Sequence, residues 1–271
     1  MYNSEEDIFA EDSTRLHVYR WVPDNAHSAV VLSHGWSEHA GRYQNVAKWL
    51  TEQGYEVHAL DHRGHGKSDG KRGHVDQWED YARDLETLRK TLKHHNQYLL
   101  GHSMGATVSI LHMLQYPNTF RAAVLSGPAT DLSYEVPKLK RWIATALAGL
   151  FPRLSLSGEA DPSIVCGDPD IVAAYERDPL VHGKISLRWF TDYLRVIQHI
   201  KDHVGSVQTP VGIWHGAGDS LVAPWVGEQL FKGLSIEDKH LCLVDNALHE
   251  ILFEKNWLST AQEMKTWFEK H

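Results

Sequence analysis

The chain has 271 residues, 42% of them hydrophobic, and carries a formal net charge of −8 with a pI near 6.2. This size and composition fit one large α/β domain, and the acidic balance weighs against nucleic acid as a partner, because phosphates require a basic surface. No apolar run approaches the ~20 residues that cross a bilayer, and the acidic N-terminus does not resemble a secretory signal. Cys166 and Cys242 make no disulfide framework, so we expect a cytoplasmic protein.

The first third of the chain alternates apolar strands with amphipathic helices. Three stretches have strand-like patterns, and two have apolar residues at helical spacing. The predicted strands are Arg15–Trp21, Ala29–Ser33 and Glu56–Asp61, and the predicted helices are Arg42–Gln53 and Trp78–His95. The polar, glycine-rich stretch between Asp61 and Gly70 is typical of a loop.

An apolar run from Tyr98 leads into Gly101-His102-Ser103-Met104-Gly105. A Gly-x-Ser-x-Gly pattern between a strand and a helix predicts a nucleophile elbow, a strained turn that exposes a serine hydroxyl at the top of a sheet. The following helix is predicted to run from Met104 to Tyr116 and to stop at Pro117. Ser103 is therefore the candidate nucleophile.

The alternation resumes beyond the elbow. The predicted strands are Ala122–Ser126, Pro210–Gly216 and Leu241–Val244, and the predicted helices are Gly227–Leu234 and Trp257–Glu269. This order predicts an α/β fold with a mostly parallel central sheet and helices on both faces. In such folds the catalytic groups lie on loops at the carboxyl ends of the strands.

The section Asp131–Gln208 breaks the alternation, because it contains helical patterns and no convincing strand. We therefore predict an inserted helical cap at residues 131–208, within a core made of residues 1–130 and 209–271.

The helix predicted over Val136–Phe151, inside this cap, has one apolar face that includes Leu139, Ile143 and Leu147. Three roles are open for this face. It could line a site for an acyl chain, touch a membrane surface, or simply pack onto the core.

A serine needs a base to remove its proton and an acid to orient that base. After an elbow of this kind the chain order is serine, then acid, then histidine. His249 follows the strand Leu241–Val244 directly, whereas His240 opens that strand and His271 ends the chain. Asp219, in the glycine-rich turn after the strand Pro210–Gly216, is the favoured acid. Asp131 is its main rival, and Asp245 is a third choice.

The tetrahedral intermediate of acyl transfer needs two backbone N–H donors. One is expected from Met104, directly after the nucleophile, and the other from the loop that follows an earlier strand. In that loop Trp36 is the favoured donor and Gly35 the alternative. The chain also has 19 histidines, but their spacing matches no common ligand motif, so we expect neither a metal nor a cofactor.

Further motifs match one family. They are His34-Gly-Trp-Ser-Glu-His39 with Arg42-Tyr43, Asp61-His-Arg-Gly-His-Gly-x-Ser68, Gly70-x-Arg72-Gly73-His74-Val75, Gly-His-Ser103-Met-Gly, Gly218-Asp219, His249-Glu250 and Tyr175-x-x-Asp178-Pro179-Leu180-Val181. Over nearly its whole length the chain resembles the monoglyceride lipase and lysophospholipase group of the α/β hydrolases. The family's triad falls on Ser103, Asp219 and His249. The chain departs from the family at Trp36, where relatives often carry a small residue, and a bulky ring there would narrow the pocket.

The resemblance implies a serine hydrolase that cleaves a lipid-like ester, with monoacylglycerol as the leading substrate and lysophospholipid next. Candidate contacts for a glycerol-type head group are His34, Glu38 and Arg42. Two alternatives remain: a small-ester esterase, thioesterase or amidase with the same triad, and a non-catalytic binding protein on a hydrolase fold. The oligomeric state is left open.

Overall fold

The computed structural model describes residues 2–133, 137–157 and 161–271. Its strands are β1 (Tyr2–Phe9), β2 (Arg15–Val22), β3 (Ser28–Ser33), β4 (Tyr55–Leu60), β5 (Gln97–His102), β6 (Ala122–Ser126), β7 (Ser155–Ser157), β8 (Lys184–Ser186), β9 (Val211–Gly216) and β10 (Lys239–Val244). Eight of them form one sheet in the order β1-β2-β4-β3-β5-β6-β9-β10. All neighbours from β4 to β10 in this order are parallel, whereas β1 and β2 add antiparallel pairs at one edge.

Helices cover both faces of this sheet, as predicted. In chain order, the helices of the described residues are α1 (Gln44–Glu52), α2 (Glu79–Thr91), α3 (Met104–Gln115), α4 (Lys138–Leu150), α5 (Pro169–Arg177), α6 (Leu187–His203), α7 (Pro224–Gly233) and α8 (Trp257–Lys270). Val31 of β3 packs into a cluster with α2, α3, α6 and α7, while its neighbours Val30 and Leu32 pack with α1 and α8. Because successive side chains of a strand point to opposite faces, one buried strand supports both layers. None of the helices in the described ranges has the length and apolar character of a bilayer-spanning helix.

Strand β1 was not predicted, because its acidic residues hide the pattern of a strand. Paired with β2, it brings Glu5 and Asp7 to opposite ring nitrogens of His17, each at 2.9 Å. The acidic side chains that obscure the strand pattern in the sequence therefore make contacts between β1 and β2.

The segment 131–208 leaves the sheet after β6 and returns in β9, the neighbouring strand. It carries α4, α5 and α6, but β7 and β8 also pair there as a short antiparallel ribbon. The expectation of no strand in this segment was therefore wrong, since two three-residue strands are too short to show a period in the sequence. Of the helix predicted over Val136–Phe151, residues Lys138–Leu150 are helical, and Val136 lies outside the described residues.

The turn between β5 and α3 has the geometry expected of an elbow. Ser103 has a φ of +52°, a strained value for a residue with a side chain. Its N–H is held at 2.9 Å by the carbonyl of Ser126 in β6. A Cβ on Gly105 would lie 2.0 Å from the carbonyl oxygen of Ser33. Only glycine lets α3 begin this close to the end of β3.

We expect Gly105→Ala to lower the free energy of unfolding by about 3 kcal/mol or more, because the backbone of β3 cannot yield to the added methyl group. Gly149→Ala is the matched control. It lies on α4 with no described heavy atom within 4 Å of the added Cβ, so it should raise stability by roughly 0.5–1 kcal/mol. Urea unfolding of both variants measures the difference, and equal effects would contradict the close approach.

Candidate active site

Ser103, His249 and Asp219 form one continuous chain of hydrogen bonds. Nε2 of His249 lies 2.9 Å from Oγ of Ser103, and Nδ1 lies 2.7 Å from Oδ2 of Asp219. A carboxylate only accepts, so Nδ1 donates to Asp219 and Nε2 is left to accept from the serine hydroxyl. The three residues follow β5, β9 and β10, whose parallel direction brings their carboxyl ends to one edge of the sheet.

Asp219 is buried, and its charge is compensated from several sides. Its Oδ1 accepts the backbone N–H groups of Leu221 and Val222 at 3.0 and 2.9 Å. Burial alone would raise the pKa of this carboxyl group, but His249, His215 and the N–H of Val222 together hold it well below its usual range. Asp219 is therefore ionised wherever the protein is folded near neutral pH.

His215 belongs to this site, although no sequence motif predicted a role for it. Its Nε2 lies 2.8 Å from the carbonyl oxygen of Val222 and 3.1 Å from Oδ2 of Asp219. Both oxygens accept, so Nε2 carries a proton and is shared between them. The signal that could have found it is a polar residue inside the otherwise apolar strand β9, four positions before the candidate acid.

His249 is buried, and the carboxylates around it favour the charged ring, which carries a proton on both nitrogens. Burial opposes the charged form, but the nearby carboxylate of Asp219, with Glu250 and Glu38 beyond it, raises the pKa of His249 above its ordinary value of 6.5. The ring of His102 lies 4.9 Å away between centroids. Burial lowers the pKa of His102 to about 3, so this neighbour is neutral near pH 7.

The residues considered as alternatives to Asp219 and His249 have other partners or lie at other positions. Oδ2 of Asp131 forms an ion pair with Nζ of Lys201 at 2.6 Å, and Asp245 is exposed. His240 packs beside the Trp214 ring, and Nε2 of His271 lies 2.6 Å from Oδ2 of Asp238. Within the described ranges, no three His, Cys, Asp or Glu side chains are grouped as metal ligands would be.

The loop after β3 passes directly beside the nucleophile. A Cβ on Gly35 would lie 3.3 Å from Cβ of Ser103, while the N–H of Gly35 already donates to Oε1 of Glu38 at 2.7 Å. Among the residues that the structure describes, the backbone N–H groups of Trp36 and Met104 have no acceptor. This arrangement favours Trp36 over Gly35 as the second donor.

A cavity of about 400 Å³ opens at Ser103. Its wall is mainly aromatic and aliphatic, and its polar groups include Asp131. The aromatic side chains on this wall are Trp36, Trp78, Trp189, Phe190 and Tyr193. Three of these five belong to α6, which packs onto α2 and α3. Helix α6 thus supplies most of the aromatic surface of the cavity.

The structure does not bring His34, Glu38 or Arg42 to this cavity. His34 is fully buried, with Nδ1 donating to the carbonyl of Gly35 and Nε2 accepting the N–H of His62. A contact between His34 and a substrate head group is therefore not supported.

Arg42 forms a buried network with Glu38 and Glu250. Its guanidinium donates to both oxygens of Glu250 at 2.6 and 2.8 Å and to Oε2 of Glu38 at 2.5 Å. Burial disfavours this charge, but the two carboxylates outweigh it and raise the pKa of Arg42 well above its ordinary value. Glu38 also accepts from the hydroxyl of Tyr43. These groups fix two loops of the site instead of facing the cavity.

The three α4 residues expected to line an acyl site do not face the cavity either. Leu139, Ile143 and Leu147 are 67%, 42% and 38% exposed, and the cavity wall in the described part of the chain does not include them. Helix α4 packs against α6 and turns much of its apolar face outwards. The sequence shows that this face exists but not which neighbour covers it.

A serine on a strand-to-helix elbow, bonded to a histidine and an aspartate on later loops of a parallel sheet, defines a serine hydrolase of the α/β-hydrolase fold. The family described as "Serine aminopeptidase, S33" matches residues 24–256, and the chain belongs to this family.

Individual relatives agree with this assignment. The monoacylglycerol lipase of Mycolicibacterium smegmatis is 32% identical over 274 residues, covering 99% of this chain and 98% of the relative. The crystal structure of the Paleococcus ferrophilus monoacylglycerol lipase is 29% identical, with a TM-score of 0.85 over the full length of both chains. A soluble variant of the Saccharomyces cerevisiae monoglyceride lipase, solved with a substrate analogue, has a TM-score of 0.87 at 23% identity and supports the fold.

We expect Asp219→Asn to lower kcat by about 10⁴-fold, because an amide donates to Nδ1 and leaves His249 in the wrong tautomer. Asp131→Asn should lower it by less than about tenfold, since Asp131 is a partly exposed ion-pair partner of Lys201. Steady-state hydrolysis of one ester by both variants tests this order, and the reverse order would make Asp131 the orienting acid.

The pH profile tests the same contact independently. In the wild type, kcat/KM should fall as the pH drops through the pKa of His249, because protonated Nε2 cannot accept the serine proton. The raised pKa places this acid limb above the ordinary value of 6.5. In Asp219→Asn the limb should move to lower pH, since the attraction that favours the proton is gone. An acid limb that stays in place would contradict the assignment.

Proposed function

We propose that this protein hydrolyses monoacylglycerols to a fatty acid and glycerol through an acyl-enzyme on Ser103, with lysophospholipids as the second substrate class. One observation carries the proposal: the hydrogen-bonded chain Ser103–His249–Asp219 opens into a cavity with a largely aromatic and aliphatic wall. The relatives named as monoacylglycerol lipases support the same substrate class.

In the proposed mechanism, Oγ of Ser103 attacks the ester carbonyl carbon while Nε2 of His249 takes the hydroxyl proton. The N–H groups of Trp36 and Met104 stabilise the oxyanion that forms. The intermediate collapses as the carbon–oxygen bond to glycerol breaks, and His249 gives the proton to the leaving oxygen. Water, deprotonated by His249, then attacks the acyl-enzyme, and the fatty acid leaves with Ser103 restored.

The wall of the cavity favours an acyl chain over a small polar substrate. Each methylene that leaves water contributes roughly 0.8 kcal/mol, so a chain lying along Trp189, Phe190 and Tyr193 gains affinity with its length. A short ester fits the same triad but uses little of this surface, and this difference separates the proposal from an esterase for small substrates. A long-chain thioester presents the same acyl chain, so it is separated from the proposal by direct assay of its hydrolysis.

A substrate panel tests the proposal. Wild-type protein and Ser103→Ala are compared on monoacylglycerols of increasing length, lysophosphatidylcholine, short nitrophenyl esters, acyl-CoA and an aminoacyl nitroanilide. We expect the highest kcat/KM on a medium- or long-chain monoacylglycerol and at least a 10³-fold loss in Ser103→Ala. Turnover retained by Ser103→Ala would exclude the assigned nucleophile, and a preference for the short ester, thioester or nitroanilide would exclude the substrate class.

We further propose that residues 131–208 act as a cap and that α4 contacts membranes. Leu139, Trp142 and Leu150 are 67%, 69% and 75% exposed on this helix. Exposed apolar side chains on a helix beside basic Arg141 suit the boundary of a bilayer. Such contact would bring the cap to the surface that holds lipid esters.

We expect the double variant Leu139→Glu/Leu150→Glu to lose binding to vesicles of phosphatidylcholine and phosphatidylglycerol, while hydrolysis of a short ester in solution is retained. Leu258→Glu on α8 is the control, because Leu258 is also exposed and apolar but lies outside the cap. Vesicle flotation measures binding. Equal loss in the control, or full binding by the double variant, would exclude α4 as the contact.

A further inference from the structure

The loop after β3 is bonded to the cap as well as to the core. Ser37, in the middle of this loop, makes three hydrogen bonds to cap residues. Its Oγ donates to the carbonyl of His182 at 2.6 Å and accepts from the hydroxyl of Tyr175 at 2.9 Å, and its carbonyl accepts the N–H of His182 at 3.0 Å. Both backbone and side chain of Ser37 are therefore held from the cap side.

The neighbours of Ser37 make further contacts between this loop and the cap, and we call the whole set of contacts the junction. The indole N–H of Trp36 donates to the carbonyl of Lys184 in β8 at 3.3 Å. Nε2 of His39 lies 2.8 Å from Oδ2 of Asp178. Three contact points, at positions 36, 37 and 39, thus face one stretch of the cap, residues 175–184.

The backbone of Ser37 shows why this junction matters. Its φ is +75°, in the left-handed region, which costs a residue with a side chain on the order of 1 kcal/mol. Such a conformation persists only where the surroundings enforce it. Ser37 is buried, and the hydrogen bonds of its side chain in the described part of the chain all go to the cap. The N–H of Trp36 belongs to the peptide between Gly35 and Trp36, one peptide before the bond that joins Trp36 to Ser37.

We propose that Ser37 and Tyr175 are positioning residues, through which the cap holds the N–H of Trp36 where the oxyanion forms. This inference rests on the proposed role of that N–H. It gives the cap a part in stabilising the transition state, in addition to lining the cavity. A donor that is preorganised in this way contributes to kcat more than to substrate binding.

Ser37→Ala and Tyr175→Phe test the junction by removing one hydroxyl each. Alanine keeps a Cβ at the strained position, and phenylalanine keeps the ring that lies over the guanidinium of Arg42. Thr191→Val is the matched control, because its hydroxyl also belongs to the cap but, among the residues that the structure describes, bonds to carbonyl groups of α6 alone. Each variant is measured on a long-chain monoacylglycerol.

Two inhibitors separate positioning from cavity shape. A long-chain trifluoromethyl ketone adds to the serine as a charged tetrahedral adduct, and an ether analogue of monoacylglycerol reports ground-state binding alone. In Ser37→Ala and Tyr175→Phe we expect kcat to fall by about 10- to 100-fold, with the Ki of the ketone rising in proportion to the loss of kcat/KM. The Kd of the ether analogue and the KM should stay within about twofold, and Thr191→Val should match the wild type.

Three results would overturn the inference: kcat/KM within about twofold of wild type in both variants, weakening of the ether analogue equal to that of the ketone, or the same losses in Thr191→Val. If Ser37→Ala does not fold, Tyr175→Phe decides the question alone. Failure of the proposed function is recognised separately, because it would appear as retained ester hydrolysis in Ser103→Ala.

Discussion

The contact between the start of α3 and the end of β3 sets the geometry of the whole site. Gly105 lies so close to the carbonyl of Ser33 that no side chain fits between them. The same contact fixes both the turn that carries Ser103 and the loop that begins at His34. Ser103 and the N–H of Trp36 therefore belong to one packed unit. The strain at Ser103, with its positive φ, persists because this unit and the hydrogen bond that the N–H of Ser103 donates to the carbonyl of Ser126 hold the backbone in place.

Ser103, Asp219 and His249 could be selected from the sequence because a parallel sheet converts chain order into position. Each lies just after a predicted strand, and all such strand ends meet at one edge. The same logic could not assign His215, whose role depends on a carbonyl at Val222 that no sequence pattern reveals. Sequence patterns also could not show that His34 and Arg42 are absent from the cavity wall, because each is held by hydrogen bonds to residues elsewhere in the chain, such as His62 and Glu250.

The cap divides into two parts with different surroundings. Residues of α6, such as Trp189 and Tyr193, are buried against α2 and α3, and residues 175–184 are bonded to the loop after β3. Helix α4 instead keeps much of its apolar face exposed. Both helices show a clear apolar stripe in the sequence. Which stripe meets the core is decided by tertiary packing, so the pattern alone could not decide among the three roles that were open for α4.

The buried guanidinium of Arg42 has a consequence for how this site can evolve. It joins Glu250, next to His249, to Glu38, which holds the N–H of Gly35. Replacing Arg42 leaves two buried carboxylates without their cation, which is strongly destabilising, whereas replacing either glutamate removes one of the two partners of the guanidinium. The three positions are therefore coupled, and a single replacement is most costly at Arg42. A library intended to reshape this hydrolase should vary them together or leave them untouched, and direct its diversity to the side chains of α6.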